Sequence, residues 1–200
     1  KTERKEKIRQ LFDISDDKLI IGNIANHVKA KDLPTLIKTM NYLVNEKKMK
    51  NIHLVQIGKF TSKLTTEIKN LISIYKLEDF ITLTDFQAHA LDFLVQFDVY
   101  VMSSEREGLP LTIYEAFLKK IAVVSTKAGG IPEVIVHGQN GYLSEVKDYE
   151  SLASNIQLLL KNENIKEVFA ERSYKLFFKK FTAVKTAENT LELYKKAINK

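Results

Sequence analysis

Short apolar runs of strand length, spaced along the chain by segments of helical periodicity, constrain this sequence more than any other feature. KLIIGNIA (18–25), NIHLVQIG (51–58), DFITLTDF (79–86), DVYVMSS (98–104), IAVVST (121–126) and GYLSEV (141–146) are rich in β-branched and aromatic residues. Between them, apolar residues recur at helical spacing: Leu33, Leu36, Ile37, Met40, Leu43 and Val44, then Leu64, Ile68, Leu71, Ile72 and Tyr75. Leu91, Leu94 and Val95 come next, and then Leu111, Tyr114, Glu115 and Leu118. Strand-helix alternation of this kind demands a parallel sheet covered on both faces. After Asp148 the pattern is purely helical, through Leu152, Ile156, Leu159 and Leu160, then Val168 to Phe178, then Ala183 to Ile198. The fold class expected is α/β: one doubly wound, Rossmann-like domain over 1–200, a parallel sheet of about six strands with residues 148–200 as a helical tail.

Composition narrows the chemistry. Two hundred residues, 44% of them hydrophobic, suffice for one compact core. The absence of cysteine excludes disulfides and thiolate metal sites. No apolar run approaches the ~20 residues of a membrane span, so a soluble chain is expected. The opening KTERKEKIRQ, charged and without an initiator Met, reads like the middle of a longer protein. Lys and Arg number 31 against 25 Asp and Glu, a formal charge of +6, which raises a nucleic-acid or membrane partner. The Lys residues are nevertheless dispersed among Glu and Asn as on solvated faces, and no aromatic-basic stripe is present, so no nucleic acid is expected. LFFKKF (Leu176 to Phe181) is the exception, suited to core packing, a neighbouring domain or an anionic surface.

Ligands of such sheets sit beyond the carboxyl ends of the strands. Gly22, read as closing the first strand's apolar core, leads there to Lys29 and Lys31; Thr84 to Gln87, including Phe86, follow the third strand. Ser103 to Pro110 follow the fourth and Thr126 to Pro132 the fifth. The helix starts after Pro110 and Gly130 offer unpaired N–H groups and a partial positive charge, which suits phosphate. With Pro110 at the first helical position, Glu115 lies ~7.5 Å along the helix from a loop that carries Glu107. An anion at the helix start would lie between the two acids, and carboxylates accept hydrogen bonds from vicinal hydroxyls, so a sugar at each end of a phosphate fits. Glu107 as a dipole cap and Glu115 as a surface acid fit the same spacing.

Other chemistries find less support. His27, His53, His89 and His137 lie far apart, without metal-ligand spacing; His53 alternates within an apolar strand, and His27 shares a loop with Lys29. Asp16-Asp17 reads as a cap or turn, and no Asp-x-Asp element is present. Ser103-Ser104 lack a G-x-S-x-G elbow, and Gly22-Asn23 is no dinucleotide fingerprint.

E-R-E-G-L-P-L-T-I-Y-E-A, then V-V-S-T-K-A-G-G-I-P-E-V-I, then G-Q-N-G-Y-L together resemble the donor-domain signature of the retaining GT-B glycosyltransferases of group 1, or family 4. The resemblance covers nearly the whole chain. It implies one half of a GT-B fold, with an acceptor-binding N-terminal domain absent from this chain. It implies that Glu107 contacts hydroxyls of the donor sugar and Glu115 the ribose, while backbone N–H groups around Gly108 to Thr112, the stretch of Leu109, Pro110 and Leu111, hold the diphosphate and sugar. The family's basic pair, Arg then Lys, falls on Asn26 and Lys31, so Lys31 carries the leaving-group charge, with Lys29 as a partial substitute for the lost Arg. Base recognition falls around Thr84, Phe86 and Gln87. The activity implied is transfer with retention from a UDP-, GDP- or ADP-sugar to a saccharide or lipid-linked acceptor, without metal or other cofactor. Bacterial lipopolysaccharide, capsule or other surface polysaccharide synthesis is the setting implied, in the cytoplasm at the inner face of the membrane, whose anionic surface the basic chain would suit. A nucleotide-sugar epimerase of GT-B type and a non-catalytic nucleotide-sugar-binding regulatory module stand as alternatives, the latter because of Asn26.

Overall fold

The computed structural model describes residues 8–198. The charged opening segment, up to Lys7, lies outside the described residues. Six strands, β1 (Leu19–Ile24), β2 (Ile52–Ile57), β3 (Ile81–Thr84), β4 (Val99–Met102), β5 (Val123–Thr126) and β6 (Tyr142–Ser144), form one sheet in the order β3-β2-β1-β4-β5-β6. Every neighbouring pair is parallel. Among the described residues, the α-helices include α1 (Leu33–Asn41), α2 (Ser62–Ile74), α3 (Leu111–Leu118), α4 (Tyr149–Lys161), α5 (Glu163–Lys180) and α6 (Ala183–Ile198). Among the described residues no helix is long and apolar enough to cross a membrane.

The pleat explains why the strands read as continuous apolar runs. Successive side chains point to opposite faces, so a strand covered on both sides is apolar throughout. Ile21, Leu54, Val99, Val101 and Val124 join Leu36, Ile37 and Met40 of α1, Ile68 of α2 and Ile156 of α4 in one core cluster. Their neighbours Ile20, Val55, Tyr100, Met102 and Val123 face the other way, into a cluster with Phe93, Phe97 and α3's Ile113, Ala116 and Phe117. Each fully buried aliphatic side chain contributes roughly 1.5–3 kcal/mol against exposure. Polar caps set where helices begin: Asp148 Oδ1 accepts the Ser151 N–H at 3.0 Å for α4, and Asn162 Oδ1 the Ile165 N–H at 3.1 Å for α5.

Three sequence expectations change. The Leu91 to Val95 periodicity belongs to a 3₁₀ segment, Ala90–Gln96, rather than an α-helix. Residues Glu78–Phe80 make a 3₁₀ turn, which shortens the third strand. Gly22 lies inside β1, paired with Val55 and Tyr100, and a Cβ there would stand 1.9 Å from the Phe97 ring. Gly22 therefore makes room for an aromatic ring in the core. Of LFFKKF, Phe177 and Phe181 pack on Tyr114 of α3, at centroid distances of 5.7 and 5.0 Å, whereas Phe178 is exposed.

The strand order reverses between β1 and β4. A crevice at such a switch point is where doubly wound sheets take their ligands.

Candidate functional site

The loops leaving β1 and β4 are stitched together at that point. Ala30 O accepts the N–H groups of Glu105 and Arg106 at 2.9 and 3.3 Å, and Ser103 Oγ donates to Lys31 O at 3.0 Å. Lys29–Lys31 form a 3₁₀ turn that ends at Asp32 with φ of 43°, a left-handed conformation that Asp tolerates better than most residues. Asp32 is held there as the cap of α1: its Oδ2 accepts Thr35 Oγ1 at 2.6 Å and its Oδ1 the Thr35 N–H at 3.4 Å. Burial pushes its carboxyl above the ordinary value. The turn brings Lys31 Nζ to 2.6 Å from Glu107 Oε1, and the Glu107 side chain is only 8% exposed. Ser104 Oγ donates to the same carboxylate oxygen at 2.6 Å.

The end of β5 and the loop that follows it press on this one from the other side. Thr126 Oγ1 donates to Ser104 O at 2.6 Å, and the Gly130 N–H donates to Gly108 O at 2.9 Å. Gly129 has φ of 54°, and a Cβ on it would lie 1.7 Å from Glu107 O. Only glycine allows both the backbone angle and the approach. The adjoining segment, Ile131–Glu133, is a 3₁₀ turn, not the α-helix expected after Gly130, so it lacks the aligned dipoles of an anion site.

Pro110 is extended (φ −71°, ψ 123°) and precedes α3, which starts at Leu111; it is not the first helical residue. The Ile113 N–H donates to Pro110 O at 3.1 Å, while those of Leu111 and Thr112 have no carbonyl a turn behind them. Gly108, Leu109 and Leu111 are exposed beside them and Pro110 is buried. Thr112 Oγ1 points inward to Met102 Sδ, so its backbone is what it can offer a ligand. Glu115 is half-buried on α3; burial raises its pKa, and among the described residues its carboxylate has neither an ion pair nor a hydrogen bond.

The remaining candidates are scattered. Asn26 is exposed, and its Oδ1 accepts the Lys59 N–H at 2.9 Å, which ties it to the loop after β2. Lys29 is exposed on the 3₁₀ turn. His27 is buried, with Nδ1 2.8 Å from Thr65 Oγ1 and Nε2 2.8 Å from Gln56 Oε1. Since Gln56 Nε2 donates to Ala25 O, its Oε1 is the acceptor, and His27 carries its proton on Nε2. His27 thus packs the protein and does not face the crevice. After β3, Gln87 Nε2 donates to Thr84 Oγ1 at 2.8 Å, and Phe86 is 69% exposed. Two residues of these loops carry no assigned role in the sequence pattern yet organise the backbone: Asp85 Oδ1 accepts the N–H groups of Phe60 and Phe86, at 3.0 and 2.7 Å, which hold its pKa down, and Ser104 holds Glu107.

Chemically, the crevice presents a cation paired with an acid, open helix N–H groups and a second, unpaired acid. Such a set can take up an anion flanked by hydroxyl groups. Among the described residues no group of three or more His, Cys, Asp or Glu could hold a metal ion. A family model described as glycosyl transferases group 1 matches residues 4–176. The chain is 28% identical over 188 residues to N-acetyl-alpha-D-glucosaminyl L-malate synthase of Bacillus anthracis, covering 94% of this chain and 48% of that protein. It is 24% identical to the capsular polysaccharide biosynthesis glycosyltransferase CapM of Staphylococcus aureus, covering 89% and 45%. The crystal structure of Anabaena Alr3699/HepE in complex with UDP and glucose superposes with a TM-score of 0.85 at 20% identity, over 98% of this chain and 52% of that one. The chain thus spans about half the length of the relatives it matches.

Proposed function

The chain belongs to the glycosyl transferases of group 1, and from that membership we propose that it is the nucleotide-sugar-binding half of a retaining, metal-independent GT-B enzyme. The observation that carries this reading is the Lys31–Glu107 pair, 2.6 Å apart at the switch point, beside the open end of α3. The diphosphate lies on the Leu111 and Thr112 N–H groups with Lys31 as its cation, the sugar hydroxyls donate to Glu107, and the ribose hydroxyls donate to Glu115. Half-burial without a partner leaves Glu115 short of hydrogen-bond donors, which a ribose diol supplies. In the transfer, the bond between the anomeric carbon and the phosphate oxygen breaks and the acceptor oxygen bonds to that carbon from the same face. The acceptor's proton passes to the departing phosphate oxygen. Charge grows on the diphosphate as the bond breaks, and a fixed cation there is worth about 2.7–4 kcal/mol. Lys31 holds that place. The acceptor, a saccharide or lipid-linked sugar, belongs to a second domain, and surface polysaccharide synthesis is the setting proposed. UDP, the nucleotide named with Alr3699/HepE, is the first ligand to try.

A second reading, a nucleotide-sugar-binding module without turnover, draws on Asn26. That side chain is neutral where the resemblance places an Arg, and its oxygen is engaged by Lys59. Calorimetry of the chain with UDP, GDP, ADP and their sugar conjugates tests the binding that both readings share. Radiolabelled sugar transfer by the longer protein separates them. Absence of binding to any member of the panel would sink both.

A further inference from the structure

We propose that Ser104 is a positioning residue for Glu107: with Lys31 it holds one carboxylate oxygen so that the other faces the donor sugar. The inference rests on the assignment of Glu107 to the sugar end of the site. Ser104 Oγ and Lys31 Nζ both lie 2.6 Å from the same atom, Glu107 Oε1. Hydrogen bonds to a carboxylate at that separation are short and charge-assisted. Two donors on Oε1 leave Oε2 unmatched among the described residues. None of their side-chain polar atoms is both sealed from solvent and without a partner, so Oε2 keeps some contact with solvent. The last torsion of a glutamate is broad and roughly two-fold. Without the hydroxyl, Lys31 can take either oxygen and the acceptor atom is no longer fixed.

Ser104 acts through Glu107 because it cannot reach a ligand itself: it is 1% exposed. Its own place is secured from behind, where the fully buried Thr126 donates through Oγ1 to Ser104 O at 2.6 Å. The carboxyl end of β5 thereby sets the angle of an acid on the loop after β4.

The test measures the affinity of UDP, GDP and ADP, and of UDP-glucose, GDP-mannose and ADP-glucose, by calorimetry on the wild-type chain, Ser104→Ala, Glu107→Ala and the double variant. With the tightest-binding pair, Ser104→Ala lowers nucleotide-sugar affinity about tenfold, or ~1.4 kcal/mol, and leaves the nucleoside diphosphate within about twofold. In the Glu107→Ala background the serine change has no further effect. If the alanine variant does not fold, Ser104→Cys, with a much weaker donor of similar shape, gives the same split. Equal losses for the two ligands, or a serine effect that persists without Glu107, overturns the positioning role. Binding by wild type with no effect of either serine variant overturns this inference alone; failure of wild type to bind any of the six ligands overturns the functional reading with it.

Discussion

Lys31 Nζ, on the loop after β1, stands 2.6 Å from Glu107 Oε1, on the loop after β4, and so closes an ion pair across the line where the strand order reverses. A diphosphate entering that crevice meets a cation already matched by an acid. Binding is then an exchange of partners for Lys31, and the two residues report on different ends of the ligand.

Removing the acid frees the cation. Glu107→Ala is expected to hold or raise affinity for the nucleoside diphosphate while lowering that for the nucleotide sugar about tenfold, the scale of a hydrogen bond to a charged group. Titration calorimetry with both ligands decides it, and parallel losses would remove Glu107 from the sugar end.

Removing the cation has the opposite signature. Lys31→Ala is expected to weaken the nucleoside diphosphate about 10- to 100-fold, as for a lost charge-assisted bond. The dependence of affinity on salt should flatten as well, since a screened charge has gone. An unchanged salt slope across a sodium chloride series would place the diphosphate elsewhere.

Glu115 trades stability for binding. Burial raises its pKa, so the folded chain holds that proton to higher pH than the unfolded one, and stability falls as pH rises through this range. Glu115→Gln removes the cost of the ionised form. Its melting temperature at pH 7 should be no lower than wild type, while nucleoside diphosphate and nucleotide sugar both bind more weakly. A variant that melts lower and binds both ligands normally would make Glu115 a structural acid.

Asn26→Arg tests the missing cation. The change gives up an acceptor for the Lys59 N–H, in an exposed setting where water can replace it. Diphosphate affinity should rise or hold. Loss of binding with the fold intact would show that the loop has no room for a second cation and that the alignment of Asn26 with the family's Arg is out of register.

Acid should loosen the sheet through His53. Burial in β2 drives its pKa from 6.5 to about 4. Below pH 6.5 the unfolded chain takes up a proton that the folded chain refuses, so stability is full above that pH and falls toward pH 4, by up to ~3 kcal/mol. Burial shifts His27 in the same direction. Denaturant midpoints across this range should fall less steeply for His53→Gln; an identical slope would assign the acid sensitivity to other groups.

Strand and helix placement were legible because covering both faces leaves an unbroken apolar run, and the start of α6 at Ala183 follows from its spacing alone. Distant partners left no such trace. Gly22 looks like a strand-end glycine until the Phe97 ring is placed against it. His27 shares a loop with Lys29, but Gln56 and Thr65, from β2 and α2, turn it inward. Lys31 and Glu107 were each picked out, yet their contact depends on Asp32 reversing the chain in a left-handed turn. Ser104 carried a local signal, a Ser three residues before a Glu, which elsewhere marks a helix start and here aims an acid.

The approach of Gly129 to Glu107 O has an evolutionary consequence. The acidic loop and the double-glycine loop are separate words in the sequence but one object in space, so neither can be grafted into a relative without the other. Substitutions in the two loops should be epistatic: a change that moves the Glu107 backbone becomes acceptable only with a matching change beside Gly129, and the pair should drift together among descendants of this chain.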